Sequence, residues 1–385
     1  MHLLFMCFSL QLKLLFGGDA PPFIEVIDIL QQICYLFIRS CFVNLFVFRL
    51  ERSVIMKAEN KVELYTGIRP TGDLTIANYV GAVKPLVELQ KQGAKSLVFV
   101  ADMHSLTDNE PAVANKFCRE VVADYLALGL DPNKTNIYIQ SSIAYQVSYM
   151  TMLLSRHTSV AELLRVPTLK DKLKNAARPE TANALLFLYP VMMAADILLQ
   201  RAKSVPVGED QLAHMEVVRR LARDFNARYG EVFPIPVVQQ VKSLRILSLK
   251  GSGKMSKSTP EGAIFLTDDI AKVAKKIKSA ETAIEGKMAD SLQSHITLAK
   301  ELCDDPSVHL KIDLIIDEHL KGKQVMGAFK DLLTVIVTDF LRQFQARRAE
   351  IVKDPSYIDG ILKDGASVAL ANAESTLDLV RNAMK

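Results

Sequence analysis

From Val62 onward, short apolar runs alternate with stretches whose apolar residues recur at helical spacing. Residues 62–66, 96–101, 136–140, 204–207, 237–241 and 244–249 read as strands. The second of these, Ser-Leu-Val-Phe-Val-Ala, is apolar on both faces and suits a strand buried inside a sheet. Residues 78–92, 112–128 and 211–229 read as amphipathic helices. Residues 145–200 are mostly helical, with breaks at Pro167 and Pro179, and beyond Asp268 helical periodicity runs almost to the C-terminus. Strands alternating with helices predict an α/β fold whose parallel sheet is covered on both faces. Ligands in such folds bind at the carboxyl ends of the strands. The change of pattern near residue 260 predicts an α/β domain over 56–260 and an all-helical domain over 261–385.

Residues 1–55 differ in character from the rest of the chain. They hold eight of the 17 phenylalanines and three of the five cysteines, Cys7, Cys34 and Cys41. The apolar run 33–48 is interrupted by Arg39 and Asn44 and is short for a membrane span, which argues against a membrane partner. Asp19, Glu25 and Asp28 argue against a transit peptide. The extension reads as translated from upstream of the true start, with Met56 opening the functional chain and residues 1–55 outside its fold; a membrane-associated or organelle-specific extension is the alternative reading.

Composition adds little. A net charge of +4 at pH 7 permits an RNA partner without demanding one. The cysteines form no C-x-x-C pair and no Cys/His cluster, so the sequence predicts neither protein-bound zinc nor any other metal site. The same cysteine usage points to a reducing, cytoplasmic compartment.

Four stretches carry chemistry. Gly251-Ser252-Gly253-Lys254-Met255-Ser256-Lys257-Ser258 combines flexible glycines with two ammonium groups three residues apart, as a loop closing over polyphosphate requires. Gly67-Ile68-Arg69-Pro70-Thr71-Gly72 is a tight loop leaving the first strand, and Thr75, Ile76, Ala77 and Asn78 open a helix whose N-terminus attracts an anion. Thr75 and Asn78 are expected to add side chains there. In the third stretch Tyr189, Met193 and Asp196 share one helix face; an Asp between Ala195 and Ile197 must find a donor, and an indole N–H suits it. The fourth, Val205-Pro206-Val207-Gly208-Glu209-Asp210-Gln211, puts two valines on one face as pocket wall, and Asp210 is expected to cap the next helix.

Lys-Met-Ser-Lys-Ser resembles the ATP loop of class I aminoacyl-tRNA synthetases, and the remaining stretches resemble tryptophanyl-tRNA synthetases. Thr75-Ile76-Ala77-Asn78 is similar to that family's T-I-G-N segment, and the 189–199 block to its tryptophan pocket. The resemblance implies a Rossmann-type catalytic domain with a C-terminal helical, anticodon-binding domain. It implies ATP-dependent activation of L-tryptophan and transfer to tRNA(Trp), with Mg²⁺ brought by ATP, in a homodimer. Catalysis would fall to Lys254 and Lys257. Arg69, Pro70, Thr71, Thr75, Ala77, Asn78, Gly208, Glu209, Asp210 and Ile246 would hold ATP with Lys254, Met255, Ser256, Lys257 and Ser258. Asp196, Tyr189, Met193, Tyr65, His104, Val205, Val207 and Gln211 would surround tryptophan.

Two positions depart from the family. Ala77 stands where it has glycine, adding a methyl beside the adenine, and Thr168 stands where many bacterial relatives carry glutamine near the substrate. A tyrosyl-tRNA synthetase, or a weakly catalytic paralogue that binds tryptophan or RNA, remains the alternative. Basic residues beyond the lysine loop (Lys272, Lys275, Lys276, Lys278, Arg342, Arg347 and Arg348) read on their own as a solvated face; the resemblance implies that this face meets tRNA phosphates.

Overall fold

The structure, a computed structural model, describes residues 61–70, 72–175, 182–240, 244–281 and 283–385. Residues 1–55, Thr71 and the break expected at Pro179 lie outside the described residues.

Five parallel strands form one sheet in the order β3-β2-β1-β4-β5. They are β1 (Val62–Ile68), β2 (Ser96–Val100), β3 (Thr135–Ile139), β4 (Ala202–Val207) and β5 (Val237–Gln240). Side-chain alternation splits the strands between two cores. Leu64, Val98, Val100 and Ile137 pack on one face, and Tyr65, Leu97, Phe99 and Tyr138 on the other. Helices cover both faces, which is why β2 carries no exposed residue.

After β1 the chain turns through Ile76–Asn78 and a π turn at Tyr79–Val83 into α1 (Lys84–Lys91). Further helices are α2 (Pro111–Ala127), α3 (Ala144–Ser155), α4 (Pro167–Asn175), α5 (Ala184–Leu199) and α6 (Leu212–Tyr229). Beyond the sheet come α7 (Ile270–Lys278), α8 (Asp290–Leu302), α9 (Pro306–Leu320), α10 (Met326–Val352) and α11 (Pro355–Ala383). The last helix returns to the sheet: a Cβ added at Gly365 would lie 2.0 Å from the Ile137 carbonyl oxygen, so only glycine lets α11 sit against β3.

Two sequence expectations are corrected. Residues 244–249 do not join the sheet. Their backbone pairs with the lysine loop and the turn after it instead: Ser248 N–H donates to Gly253 O at 2.8 Å, Met255 N–H to Ile246 O at 2.9 Å and Leu249 N–H to Gly262 O at 2.9 Å. Several of the basic residues beyond the loop are also internal fasteners. Lys276 donates to Ala263 O and Asp268, Arg347 to Ala127 O, and Arg348 to Asp124 and Glu120, tying α10 to α2.

Candidate active site

A cavity of about 480 Å³ opens at the carboxyl ends of the strands. Tyr65 and Phe99 contribute rings stacked at 5.0 Å, and the Phe99 ring lies over Gly67, where an added Cβ would approach it to 2.5 Å. Met193, Ile197, Val205 and Val207 add apolar wall. The π turn after β1 turns Ala82 onto the same wall. Polar groups at the wall come from Arg69, His104, Thr168, Lys172, Tyr189, Gln211 and His214.

Asp196 is only 1% exposed and is not itself part of the wall. Its carboxylate accepts from His104 Nε2 at 2.9 Å and from Gln140 Nε2 at 2.8 and 3.0 Å. Burial raises its pKa, and the His104 and Gln140 hydrogen bonds oppose that rise. His104 thus links the buried carboxylate to the cavity. Beside it, the Tyr65 and Tyr138 hydroxyls share a buried hydrogen bond of 2.8 Å.

At the mouth, Asp108 accepts from Arg69 at 2.8 Å and from Lys172 at 2.9 Å. Partial burial pushes its carboxyl up, but these cations outweigh that and hold it below the usual carboxylate range. Both cations are therefore preset beside the cavity.

The loop leaving β1 adjoins this region through Gly67 and Arg69. Thr75 and Asn78 form a capping box, with Thr75 N–H donating to Asn78 Oδ1 at 2.9 Å and Asn78 N–H to Thr75 Oγ1 at 3.3 Å. Ile76 N–H is taken by Ile264 O at 2.9 Å. The Thr75 hydroxyl and the Asn78 side-chain oxygen thus satisfy the helix end. Ala77 is buried with its methyl in the main core and does not line the cavity. Pro70 is buried beside Arg69.

Glu209 and Asp210 lie on the surface within a single 3₁₀ turn, and Gly208 lines the cavity. Asp210 does not cap α6, because its Oδ2 accepts from the Gln211 amide at 2.6 Å instead.

The lysine loop is pinned at its centre by Met255, 3% exposed, against fully buried Ile246. Lys254 is exposed, and the Ser256 and Ser258 hydroxyls pair at 2.8 Å. Lys257 reaches across to Gly72 O at 2.8 Å, and burial pushes its ammonium pKa below the ordinary value against opposing pulls from Asp73 and Asp124. The lysine loop and the loop leaving β1 are thereby joined, and the second of these carries Arg69 into the cavity.

The sequence profile of the tRNA synthetases class I (W and Y) matches residues 56–341. The chain belongs to that family. The chain is similar to the tryptophan–tRNA ligase of Chlamydia caviae, 35% identical with 84% of this chain and 96% of the relative covered. It is similar also to that of Bacillus subtilis, 35% identical over 84% and 98%. Among solved structures, tryptophanyl-tRNA synthetase from Mycoplasma pneumoniae superposes with a TM-score of 0.73, at 30% identity over 84% of this chain and 97% of that one. The Campylobacter jejuni enzyme complexed with ADP and tryptophan gives 0.71, at 29% identity over 83% and 98%.

Three residues of this synthetase's site escape a reading of the sequence. Gln140 comes directly after β3, so the strand-end rule that marks His104 would have marked it too. His214 lies one turn into α6, and Asp108 comes eight residues after β2; neither stands in a motif, and only the packing of α4, α5 and α6 brings His214 to the wall.

Proposed function

We propose that this chain activates L-tryptophan with ATP and transfers it to tRNA(Trp). The observation that carries this reading is the cavity itself, where an aromatic and thioether wall surrounds a histidine bonded to a fully buried carboxylate. A flat ring with one polar N–H needs that combination: dispersion on its faces and a strong acceptor at one edge. The relatives that bear the tryptophan–tRNA ligase name support the same substrate.

The reaction has two steps. A tryptophan carboxylate oxygen forms a bond to the α-phosphorus of ATP, which reaches the enzyme as its Mg²⁺ complex. The bond from that phosphorus to the bridging oxygen breaks, and its electron pair leaves with pyrophosphate. A hydroxyl at the tRNA 3′ end then attacks the mixed anhydride and releases AMP. Neither step needs a protein nucleophile, so the protein's contribution is positioning and charge stabilisation. Lys254 and Lys257 supply charge to the leaving pyrophosphate, Arg69 and Gly208 stand at the boundary between the two substrates, and Gln211 faces the polar end of the amino acid.

The helical portion over 261–385 serves the tRNA, with exposed Lys275 and Lys278 as phosphate contacts. A second copy of the chain is supported by α3, where Tyr145 and Met152 are 64% and 69% exposed and Tyr145 stacks on Tyr149. The cytoplasm is the compartment proposed, on the cysteine usage of the sequence. Among the described residues no helix is long and apolar enough to cross a membrane. Charging of a tRNA(Trp) transcript with labelled tryptophan tests the reading. A protein that forms the adenylate yet charges no tRNA would remove the transfer step.

A further inference from the structure

Thr168, Tyr189 and His214 come from α4, α5 and α6 and meet on the cavity wall. Thr168 Oγ1 lies 2.9 Å from Tyr189 Oη and 3.0 Å from His214 Nε2, and Tyr189 Oη lies 2.8 Å from the same Nε2. Counting hydrogens around this triangle restricts what it can do. His214 is 2% exposed, and burial pushes its pKa down to about 4, so near pH 7 the ring is neutral and carries one N–H. Its Nδ1 is buried without a partner among the described residues.

Placing the hydrogen on Nδ1 would orphan a buried donor, which native structures rarely tolerate. Placing it on Nε2 leaves only a bare lone pair at Nδ1 and makes Nε2 a donor. The two shortest contacts then form a relay in which His214 Nε2–H donates to Tyr189 and the Tyr189 hydroxyl donates to Thr168. The Thr168 hydrogen is left over.

That hydrogen belongs to a part of the wall suited to an anion. Lys172 is one turn from Thr168 on α4, and its ammonium lies 5.4 Å from the Tyr189 ring centroid. Arg69 also lines the cavity, and among the described residues no Asp or Glu does; Asp108, outside the lining, pairs with both cations and leaves the cluster of three a net single positive charge. Thr168 sits in the first turn of α4, where the helix dipole adds positive potential.

We infer that the Thr168 hydroxyl is the donor that holds the α-carboxylate of the amino-acid substrate, with Tyr189 and His214 as positioning residues that orient it. It would bind one carboxylate oxygen and leave the other to attack phosphorus. The short side chain at 168 is thus a working substitute for a longer amide, made possible by the relay behind it. This assignment rests on the amino-acid-activation reading above.

The test is calorimetric binding of three ligands to the full chain: tryptophan, indole-3-propionate (carboxylate without ammonium) and tryptamine (ammonium without carboxylate). Thr168→Val should weaken tryptophan and indole-3-propionate about tenfold or more, the usual scale for a hydrogen bond to a charged group, and tryptamine less than about threefold. Thr168→Ser should restore both to within about threefold. Thr168→Ala provides the same comparison if the valine variant does not fold. Equal weakening of all three ligands, or of tryptamine alone, would overturn the assignment while leaving tryptophan as the substrate. A wild-type protein that binds none of the three would overturn the activation reading itself, and this assignment with it.

Discussion

The Lys257 ammonium donates to the Gly72 carbonyl oxygen at 2.8 Å, joining two loops separated by 185 positions in the chain. One loop leaves β1 and carries Arg69 to the cavity; the other is held to the core by Met255. The cation is half-buried and stripped of part of its water; in the proposed mechanism it would meet the leaving pyrophosphate with little reorganisation to make.

Lys257→Ala and Lys254→Ala should therefore each lower the rate of adenylate formation by ~10²–10³ while changing tryptophan affinity little. Pre-steady-state adenylation and equilibrium tryptophan binding separate the two effects. Rates within threefold of wild type for both variants would remove the loop from the mechanism.

Asp196 bonds to both His104 and Gln140, so its replacement disturbs the acceptor side of the cavity as a unit. Asp196→Asn should cut kcat/KM for tryptophan by roughly 10-fold or more, and much less for phenylalanine or tyrosine, since loss of a charge-assisted bond costs ~1.5–3 kcal/mol. Parallel losses for all three amino acids would reduce Asp196 to a structural support.

These sites differ in how much the sequence revealed. The strand at 96–100 was legible because a strand buried on both faces is written as an unbroken apolar run, and those read at 62–66, 136–140, 204–207 and 237–241 through short β-branched and aromatic stretches between helices. The run 244–249 misled, because a segment that plugs a loop into the core is as apolar as a strand, and only its backbone partners tell them apart. Tyr189, Met193 and Asp196 were legible as a face through helical spacing. The partners of Asp196 were not, because His104 and Gln140 lie 92 and 56 positions away. The basic residues of α10 looked alike in sequence, yet Arg347 and Arg348 are consumed by the carbonyl and carboxylates of α2.

Arg348 offers a stability test of that last point. Burial raises the Asp124 carboxyl pKa while Arg348, 2.6 Å away, opposes the rise. Arg348→Met should cost ~3 kcal/mol in urea unfolding, since it leaves a buried carboxylate without its cation. Adding Asp124→Asn should recover most of that loss. A single variant as stable as wild type would show that the pair does not fasten α10 to α2.

Acid should also weaken the fold in a defined window. Burial pushes both His214 and His295 from 6.5 down to about 4, so the folded state favours their neutral forms. Their contribution is complete above pH 6.5 and is lost as pH falls towards about 4, by up to ~3 kcal/mol for each ring. Unfolding free energies measured between pH 7 and 4.5 should fall with acid, and His295→Gln should flatten that slope. An unchanged slope would exclude His295 from the acid response.

The most direct measurement is amino-acid-dependent ATP–pyrophosphate exchange at saturating ATP, run with each of the twenty amino acids. Tryptophan should support exchange with a kcat/KM at least ~10³-fold above tyrosine and phenylalanine, because a site built around an N–H donor strongly rejects rings that lack it. Exchange driven as well by tyrosine, or by no amino acid at all, would contradict the account.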